Sequence, residues 1–251
     1  AKKATLSTYL YRSKCDMNNI YSHVRRMRIM GAIAVEMCFV AEGPKIIEEL
    51  LKIYTPKMIF ATKSWIEENN NICAEEITEQ ELSKLSFLKH PQSVLAVFPI
   101  PQNKDTIIDP NKLYLALDGV QDPGNMGTII RIADWFGIDT ILCSMDTADA
   151  FNPKVVQATM GSIARVKIIY TNLYDLIKDH ANQMPIYGTL LDGENIYQKQ
   201  LAPNGIIIMG NEGNGISTPI RNLLNERLLI PSYNLSDTAE SLNVATATAI
   251  I

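Results

Sequence analysis

The sequence predicts an α/β fold in which short parallel strands alternate with helices. Three observations indicate this: short apolar runs, helical periodicity between them, and glycine-bearing polar loops where the apolar runs end. Strands that are buried on both faces appear as continuous apolar runs, and ligands of open α/β sheets bind beyond the carboxyl ends of such strands. We therefore expect the functional site in these loops.

Predicted strands and helices alternate along the chain up to residue 100. Ser64 with Glu67 and Thr78 with Glu81 fit the S/T-x-x-E capping box, so a helix is expected to open at each. The other predicted elements are the strands EMCFVAEG, KMIFAT and SVLAVF and the helix PKIIEELLKIY. A boundary follows in PIPQNKDTIIDPNK, which is rich in proline, asparagine and aspartate. Residues 1–100 thus form a predicted α/β domain.

Residues 107–251 form a second predicted domain. Its first helix has Ile129, Ile130, Ala133 and Phe136 at helical spacing and is expected to stop at Gly137. Helices are predicted at 125–136, 153–160, 172–182, 218–226 and from about 240, and strands at 113–118, 139–145, 165–170, 185–191, 205–209 and 227–231. Such alternation is typical of a mostly parallel sheet with helices on both faces.

Three segments of the second domain carry the polar and glycine residues that mark the expected site. They are LDGVQDPGNMG, which ends the first strand, GNEGNGIS after the strand GIIIM, and RLLIP followed downstream by SLNV. The glycines Gly210, Gly213 and Gly215 permit left-handed backbone or close approach to a ligand. Their order is not the GxGxxG of a dinucleotide fold, and the sequence has no GxxxxGK[ST] phosphate loop. Nicotinamide and nucleoside triphosphate sites are therefore disfavoured.

These segments resemble the motifs of the SpoU (TrmH-like) class of the SPOUT superfamily, the knotted RNA ribose 2'-O-methyltransferases. The first motif, D-P-x-N-x-G with an arginine six residues after the asparagine, is matched by Asn125 and Arg131. The second, G-x-E-G-x-G, is matched by residues 210–215, and the third, I-P followed by S-L-N-V, by residues 230–231 and 241–244. The resemblance implies a C-terminal α/β trefoil-knot (SPOUT) methyltransferase domain.

The resemblance also implies S-adenosyl-L-methionine as the cofactor, RNA as the substrate, and roles for the matched residues. The implied catalytic residues are Asn125, Arg131, Glu212, Ser241 and Asn243. The cofactor is expected to contact main-chain atoms and apolar walls at Thr189, Leu190, Met209, Gly210, Asn211, Gly213, Ile230, Pro231 and Leu242. Because the cofactor itself supplies an electrophilic methyl group, no metal is expected. A guanidinium stays protonated at cellular pH, so we expect Arg131 to bind a phosphate rather than act as a base.

The segment FVAEGPKIIEELL resembles the opening of the L30e-like substrate-binding domain that many rRNA-directed members carry. This favours ribosomal RNA, a 23S rRNA-like target, over tRNA. Residues 1–40 contain seven cationic side chains against Asp16 and Glu36, which could contact phosphates or form a solvated basic tail: Lys2, Lys3, Arg12, Lys14, Arg25, Arg26 and Arg28. A homodimer through the C-terminal domain is implied as well, and the final helix is expected to continue beyond Ile251.

Composition limits the remaining possibilities. The net charge is −4, and no apolar run is long enough to span a bilayer, which predicts a soluble protein that is not membrane-bound. The four cysteines lack CxxC spacing and the three histidines are isolated, so we expect no metal site and a cytoplasmic location. Two alternatives remain: a catalytically silent RNA-binding protein on the same fold, and a small-molecule α/β enzyme. The second needs a nucleophile–base pair or a cofactor fingerprint, and the sequence has neither.

Overall fold

A computed structural model describes residues 37–102, 107–233 and 241–251. The chain divides into two compact units. One comprises Ala1–Pro101 with Phe151–Gln157, and the other Gln102–Ala150 with Ala158–Ile251. The cationic side chains singled out before Glu36 lie outside the described residues. The domain bounds 1–100 and 107–251 stay a prediction.

The first unit contains a four-stranded mixed sheet in the order β1-β4-β2-β3. Strand β4 is antiparallel to β1 and β2, and β3 is parallel to β2. Phe60, Leu82 and Leu95 are buried in its core. Its elements are β1 (Cys38–Glu42), α1 (Pro44–Leu51), β2 (Met58–Ala61), α2 (Lys63–Glu68), β3 (Glu75–Glu76), α3 (Glu79–Leu85) and β4 (Val94–Pro99). Strand β3 was not predicted because two exposed glutamates give no apolar signal.

The two predicted capping boxes have different outcomes. At Thr78 the prediction is confirmed, since the Glu81 N–H donates to Thr78 Oγ1 at 3.2 Å and the Thr78 N–H donates to Glu81 Oε2 at 2.9 Å. At Ser64 it is wrong, because α2 already begins at Lys63 after Thr62. The Thr62 N–H donates to the Ser93 carbonyl at 2.9 Å, which holds Thr62 extended, so the N-cap is Thr62, two residues before the predicted Ser64.

The second unit contains a six-stranded, fully parallel sheet in the order β10-β8-β9-β5-β6-β7. Ile186, Ile206 and Ile208 are buried in its core. Its strands are β5 (Leu113–Asp118), β6 (Thr140–Cys143), β7 (Lys167–Tyr170), β8 (Ile186–Asn195), β9 (Gly205–Gly210) and β10 (Glu226–Leu229). Its helices are α4 (Pro123–Trp135), α5 (Pro153–Thr159), of which residues 153–157 fall in the first unit, α6 (Leu173–His180), α7 (Thr218–Arg221) and α8 (Val244–Ile250).

Helices α7 and α8 depart furthest from their predicted bounds. Helix α7 ends at Arg221 rather than near 226, because Asn225 exchanges hydrogen bonds with Ile186 at the start of β8: the Asn225 N–H donates to the Ile186 carbonyl at 3.1 Å, and the Ile186 N–H donates to Asn225 Oδ1 at 2.9 Å. Helix α8 begins at Val244 rather than near Ser241, because the Asn243 side chain caps it.

The sheet order places the three motif loops at one edge. Strands β5 and β9 are neighbours, and Asp118 pairs with Gly210 where the two strands end. On the other side of β9, strand β8 pairs with β10 up to Gly188, and the pairing resumes at Glu194. Residues 189–193 therefore leave the ladder; we call this segment the excursion. No helix of the described ranges is long and apolar enough to cross a membrane.

Replacing Thr78 by alanine tests the first unit. We expect the free energy of unfolding to fall by about 1 kcal/mol, because the capping oxygen of α3 is lost. Ser64→Ala is the matched control, and we expect a change below about 0.5 kcal/mol, since this serine caps no helix and its hydroxyl bonds to Thr62 Oγ1 at 3.0 Å rather than to a backbone N–H. Urea denaturation of both variants measures the difference. Equal losses in the two variants would contradict the assignment of the caps.

Candidate active site

A cavity of about 660 Å³ opens beyond the carboxyl ends of β8 and β9. Its volume is in the range of small-molecule and cofactor sites. The excursion, the loop after β9, the end of β10 and the start of α8 form its walls. It is lined by residues 189–192, 209–216 and 228–230, by Arg221, Ser241, Leu242, Val244 and Ala247, and by Ile251.

The cavity collects almost all of the residues predicted to bind the cofactor. Thr189, Leu190, Met209, Gly210, Asn211, Gly213, Ile230 and Leu242 line it. Pro231 is described but is not part of the lining. Gly210 is required where it stands, because a Cβ atom there would lie 2.3 Å from the carbonyl carbon of Gly215. The tight loop after β9 thus depends on this glycine.

Asn211 holds the loop after β9 together. Its N–H donates to the Gly215 carbonyl at 3.0 Å, and its Oδ1 accepts from the N–H groups of Gly213 and Asn214, both at 2.9 Å. Its Nδ2 donates to the Gly119 carbonyl at 2.7 Å, which ties this loop to the loop after β5. Most of its polar atoms are therefore engaged within the fold.

Three of the predicted catalytic residues form a continuous hydrogen-bonded chain. Glu212 accepts from the N–H groups of Gln121 and Asp122, both at 3.2 Å, and from Asn125 Nδ2 at 3.0 Å. Asn243 Nδ2 donates to Asn125 Oδ1 at 2.8 Å. One residue from each of the three motifs therefore meets here, as the sequence predicted for converging loop ends.

The direction of this chain is fixed at both ends. An ionised carboxylate only accepts, so Asn125 must turn its NH2 group to Glu212 and its oxygen to Asn243. At the other end, Asn243 Oδ1 accepts from the N–H groups of Ala245 and Thr246 at 3.0 and 3.2 Å, so Asn243 must turn its NH2 group to Asn125. Each amide has one further N–H without an acceptor among the described residues, so the chain presents two oriented donors.

Glu212 is ionised at neutral pH. Partial burial raises its pKa, but hydrogen bonds from Asn125 and from the backbone N–H groups of Glu212, Gln121 and Asp122 lower it more, so the pKa lies below its ordinary value of 4.5. The carboxylate is thus a stable acceptor for both loops.

Arg131 and Ser241 stand apart from this chain. Arg131 is exposed on α4 and has no hydrogen bond or ion pair with any described residue. Asn125, predicted to orient Arg131 or the ribose, bonds to Glu212 and Asn243 and makes no hydrogen bond to Arg131. Ser241 is exposed and lines the cavity. An exposed guanidinium without an acidic partner is free to bind an anion.

Sequence reasoning missed Asp192 and Arg221, both of which line the cavity. Arg221 Nη2 donates to Asp192 Oδ2 at 2.5 Å. The pair joins residues far apart in sequence, and its only signal in the sequence is the presence of opposite charges after two apolar runs. Within the described ranges, no group of three or more His, Cys, Asp or Glu side chains is placed to hold a metal.

Glu212→Gln tests the hydrogen-bonded chain in the free protein. At about pH 7 we expect a loss of about 1 kcal/mol in the free energy of unfolding, because an amide offers one acceptor where the carboxylate offers two. Folding lowers the pKa of Glu212. The extra free energy of unfolding of the wild-type protein is therefore fully present above the ordinary pKa of 4.5 and is lost as the pH falls through the pKa of the folded state. Urea denaturation at about pH 7 and about pH 3.5 measures this.

The control for that experiment is Glu67→Gln, which removes only an exposed contact of 3.9 Å with Lys63. We expect this substitution to change the free energy of unfolding by less than about 0.5 kcal/mol at either pH. A Glu212→Gln penalty that persists undiminished in acid would contradict the assignment.

The chain is similar to two kinds of known domain. Residues 112–251 match the SpoU rRNA Methylase family, and residues 34–96 match the MRM3-like substrate binding domain. The 23S rRNA (guanosine(2553)-2'-O)-methyltransferase RlmP of Bacillus subtilis is 32% identical over 219 residues, which are 85% of this chain and 86% of the relative. The 23S rRNA (guanosine-2'-O-)-methyltransferase RlmB of Neisseria meningitidis is 28% identical, covering 84% of this chain and 87% of the relative.

Comparison with solved structures leads to the same family. A protein assigned to the TrmH family of RNA methyltransferases from Porphyromonas gingivalis has a TM-score of 0.83 at 38% identity, covering 92% of this chain and 94% of its own. An rRNA methyltransferase from Sinorhizobium meliloti with AdoMet bound has a TM-score of 0.82 at 28% identity, covering 94% and 93%. These matches confirm the predicted fold class, cofactor and enzyme class, an S-adenosylmethionine-dependent RNA 2'-O-ribose methyltransferase. The chain belongs to the SpoU rRNA methylase family.

Proposed function

We propose that this enzyme methylates the 2'-hydroxyl of a nucleotide in large-subunit ribosomal RNA. The observation that carries the proposal is the chain from Asn243 through Asn125 to Glu212, which gathers one residue of each motif beside the cavity. RlmP and RlmB are both named as 23S rRNA enzymes, which supports an rRNA target over a tRNA target. A cytoplasmic location belongs to the same proposal, because these bacterial relatives are named for acting on rRNA.

The cavity suits S-adenosyl-L-methionine in size and chemistry. The apolar residues Met209, Ile230 and Leu242 line the cavity, as an adenine site requires, and the loop after β9 supplies main-chain polar groups. When bound, the cofactor provides an electrophilic methyl group on a sulfonium. The protein's own residues then have to position the ribose hydroxyl. Holding two reactants at attack distance can lower a barrier by several kcal/mol.

The two oriented N–H donors of Asn125 and Asn243 are placed in this proposal on the target ribose. Donors fixed before the reaction stabilise developing charge on an oxygen without reorganising. Glu212 acts through them, since its carboxylate sets which way both amides face. Ser241 completes the polar wall of the cavity near Asn243.

Arg131 is proposed to bind the phosphate next to the target nucleotide. Its guanidinium is exposed and without an acidic partner among the described residues, and its planar fork matches phosphate oxygens. The first unit is proposed to bind the RNA, in agreement with its match to a substrate binding domain. The cationic side chains before Glu36 add positive charge for the same purpose.

The proposal includes a homodimer formed through the second unit. Trp135 is 85% exposed and Phe136 62% exposed at the end of α4, and Ile250 is 37% exposed on α8. Helices α4 and α8 pack against each other, so these side chains belong to neighbouring elements. Exposed apolar patches of this kind mark interaction sites. An RNA site built across two subunits would use this surface.

Methyl transfer to 23S rRNA tests the proposed function. The protein is incubated with labelled S-adenosyl-L-methionine and unmodified 23S rRNA, and the product is mapped by mass spectrometry. We expect one added methyl group on a ribose oxygen, and no transfer to tRNA. Methylation of a base would contradict the proposal, and RNA binding without transfer would support the catalytically silent alternative.

Arg131→Ala is expected to abolish transfer while affinity for S-adenosylhomocysteine, measured by calorimetry, stays within about 2-fold. Arg131→Lys keeps the charge but loses the fork, so catalysis should fall by about 2 to 3 kcal/mol, roughly 30- to 150-fold. The control is Arg165→Ala, an arginine of the same unit whose guanidinium is bonded to Asp134 at 2.7 Å. A lysine variant that regains the wild-type rate at high pH would instead identify Arg131 as a base.

Sedimentation tests the dimer. We expect about twice the chain mass of 28.0 kDa at micromolar concentration, and dissociation on Trp135→Glu, because a buried unpaired charge opposes association. Tyr174→Glu serves as control, since this partly exposed tyrosine lies on a different helix, α6. A wild-type monomer would contradict the proposal.

A further inference from the structure

Asp192 joins three elements around the cavity. It lies in the excursion, and its Oδ2 accepts from Arg221 Nη2 on α7 at 2.5 Å and from Arg227 Nη1 on β10 at 3.3 Å. Thr189, Leu190 and Leu191, which precede it, line the cavity. One carboxylate therefore connects the excursion, which forms one wall of the cavity, to α7 and to β10. We call these three residues the clamp.

The excursion has few other attachments at its outer end. Thr189 Oγ1 donates to the Ile208 carbonyl at 3.0 Å, and Leu190 packs partly against the core. Leu191 is 73% exposed and adds little packing. At Gly193 the chain passes so close to β10 that a Cβ atom would lie 2.6 Å from the Leu228 carbonyl carbon. Between Leu190 and Gly193, the side-chain hydrogen bonds found among the described residues are those of the clamp.

We infer that the clamp positions the excursion as a preformed wall of the cofactor site and thereby sets cofactor affinity. The inference rests on the proposed function, which places S-adenosyl-L-methionine in this cavity. A segment that is already ordered loses less conformational freedom when a ligand binds against it, so the affinity is higher. Asp192, Arg221 and Arg227 are positioning residues in this account.

The clamp has a recognisable electrostatic signature. All three side chains are partly exposed, so salt screens their attraction. A single exposed ion pair contributes little, and a carboxylate shared by two guanidinium groups contributes more. We therefore expect affinity for the cofactor site to fall as the salt concentration rises. Because S-adenosylhomocysteine, the ligand measured below, carries no net charge, this salt dependence would come from the clamp.

Calorimetry with S-adenosylhomocysteine tests the inference. We expect Asp192→Asn to weaken binding by about 3- to 10-fold, and Arg221→Gln and Arg227→Gln to weaken it by no more than that. The Asp192→Asn/Arg221→Gln double variant should be no weaker than the weaker single variant, because both substitutions remove one interaction. At saturating cofactor, kcat should stay within about 2-fold. The salt dependence should disappear in Asp192→Asn.

Asp139→Asn is the matched control, since it removes an ion pair of 2.7 Å with Lys112 that is similarly exposed but lies at the opposite edge of the sheet. It should change neither affinity nor its salt dependence. Amide hydrogen exchange at residues 190–192, measured without cofactor, should be faster in Asp192→Asn than in wild type or Asp139→Asn.

Several results would overturn the clamp. Additive losses in the double variant, or a much larger loss for Arg221→Gln than for Asp192→Asn, would show that Arg221 contacts the ligand directly. Unchanged exchange at residues 190–192 in Asp192→Asn would contradict the clamp alone. Absence of binding to the wild-type protein would instead contradict the proposed function, and the exchange experiment would still decide whether Asp192 orders the wall.

Discussion

The carboxylate of Glu212 is the interaction on which the rest of the site depends. It lies in the loop after β9 and accepts from two backbone N–H groups and one side-chain amide of the segment that follows β5. Because it only accepts, it dictates the orientation of Asn125, and Asn125 dictates that of Asn243. One charge therefore organises three loops that are separated by up to 118 residues.

The sheet makes this meeting possible. Strands β5 and β9 are parallel neighbours that end level at Asp118 and Gly210. Asp118 Oδ2 also accepts from the Ser217 N–H at 2.7 Å, so the buried end of β5 holds the far side of the same loop. Asn211 bonds to the Gly119 carbonyl as well. Three side chains thus join the two loops, those of Asp118, Asn211 and Glu212. Hydrogen bonds therefore cross between the loops as well as within them, and they restrain the two loops relative to each other.

Sequence alone predicted the parts of this site that follow from local order. Apolar runs and glycine loops located the strands and their ends, and motif spacing brought forward Asn125, Glu212 and Asn243. It did not locate the start of α8, because the sequence S-L-N-V does not distinguish an asparagine that caps a helix from one that lies within it. The excursion was also missed, since the register jump between β8 and β10 depends on pairing with a distant strand. Contacts such as Asp192 with Arg221 are long-range and have no periodic signal.

The most direct test of the central claim is a pH titration of the side-chain amide signals of Asn125 and Asn243 by nuclear magnetic resonance in labelled protein. If Glu212 directs the chain, both signals move together with one midpoint below its ordinary pKa of 4.5, and neither responds in Glu212→Gln. Separate midpoints, or an Asn243 signal that ignores the protonation of Glu212, would contradict the account.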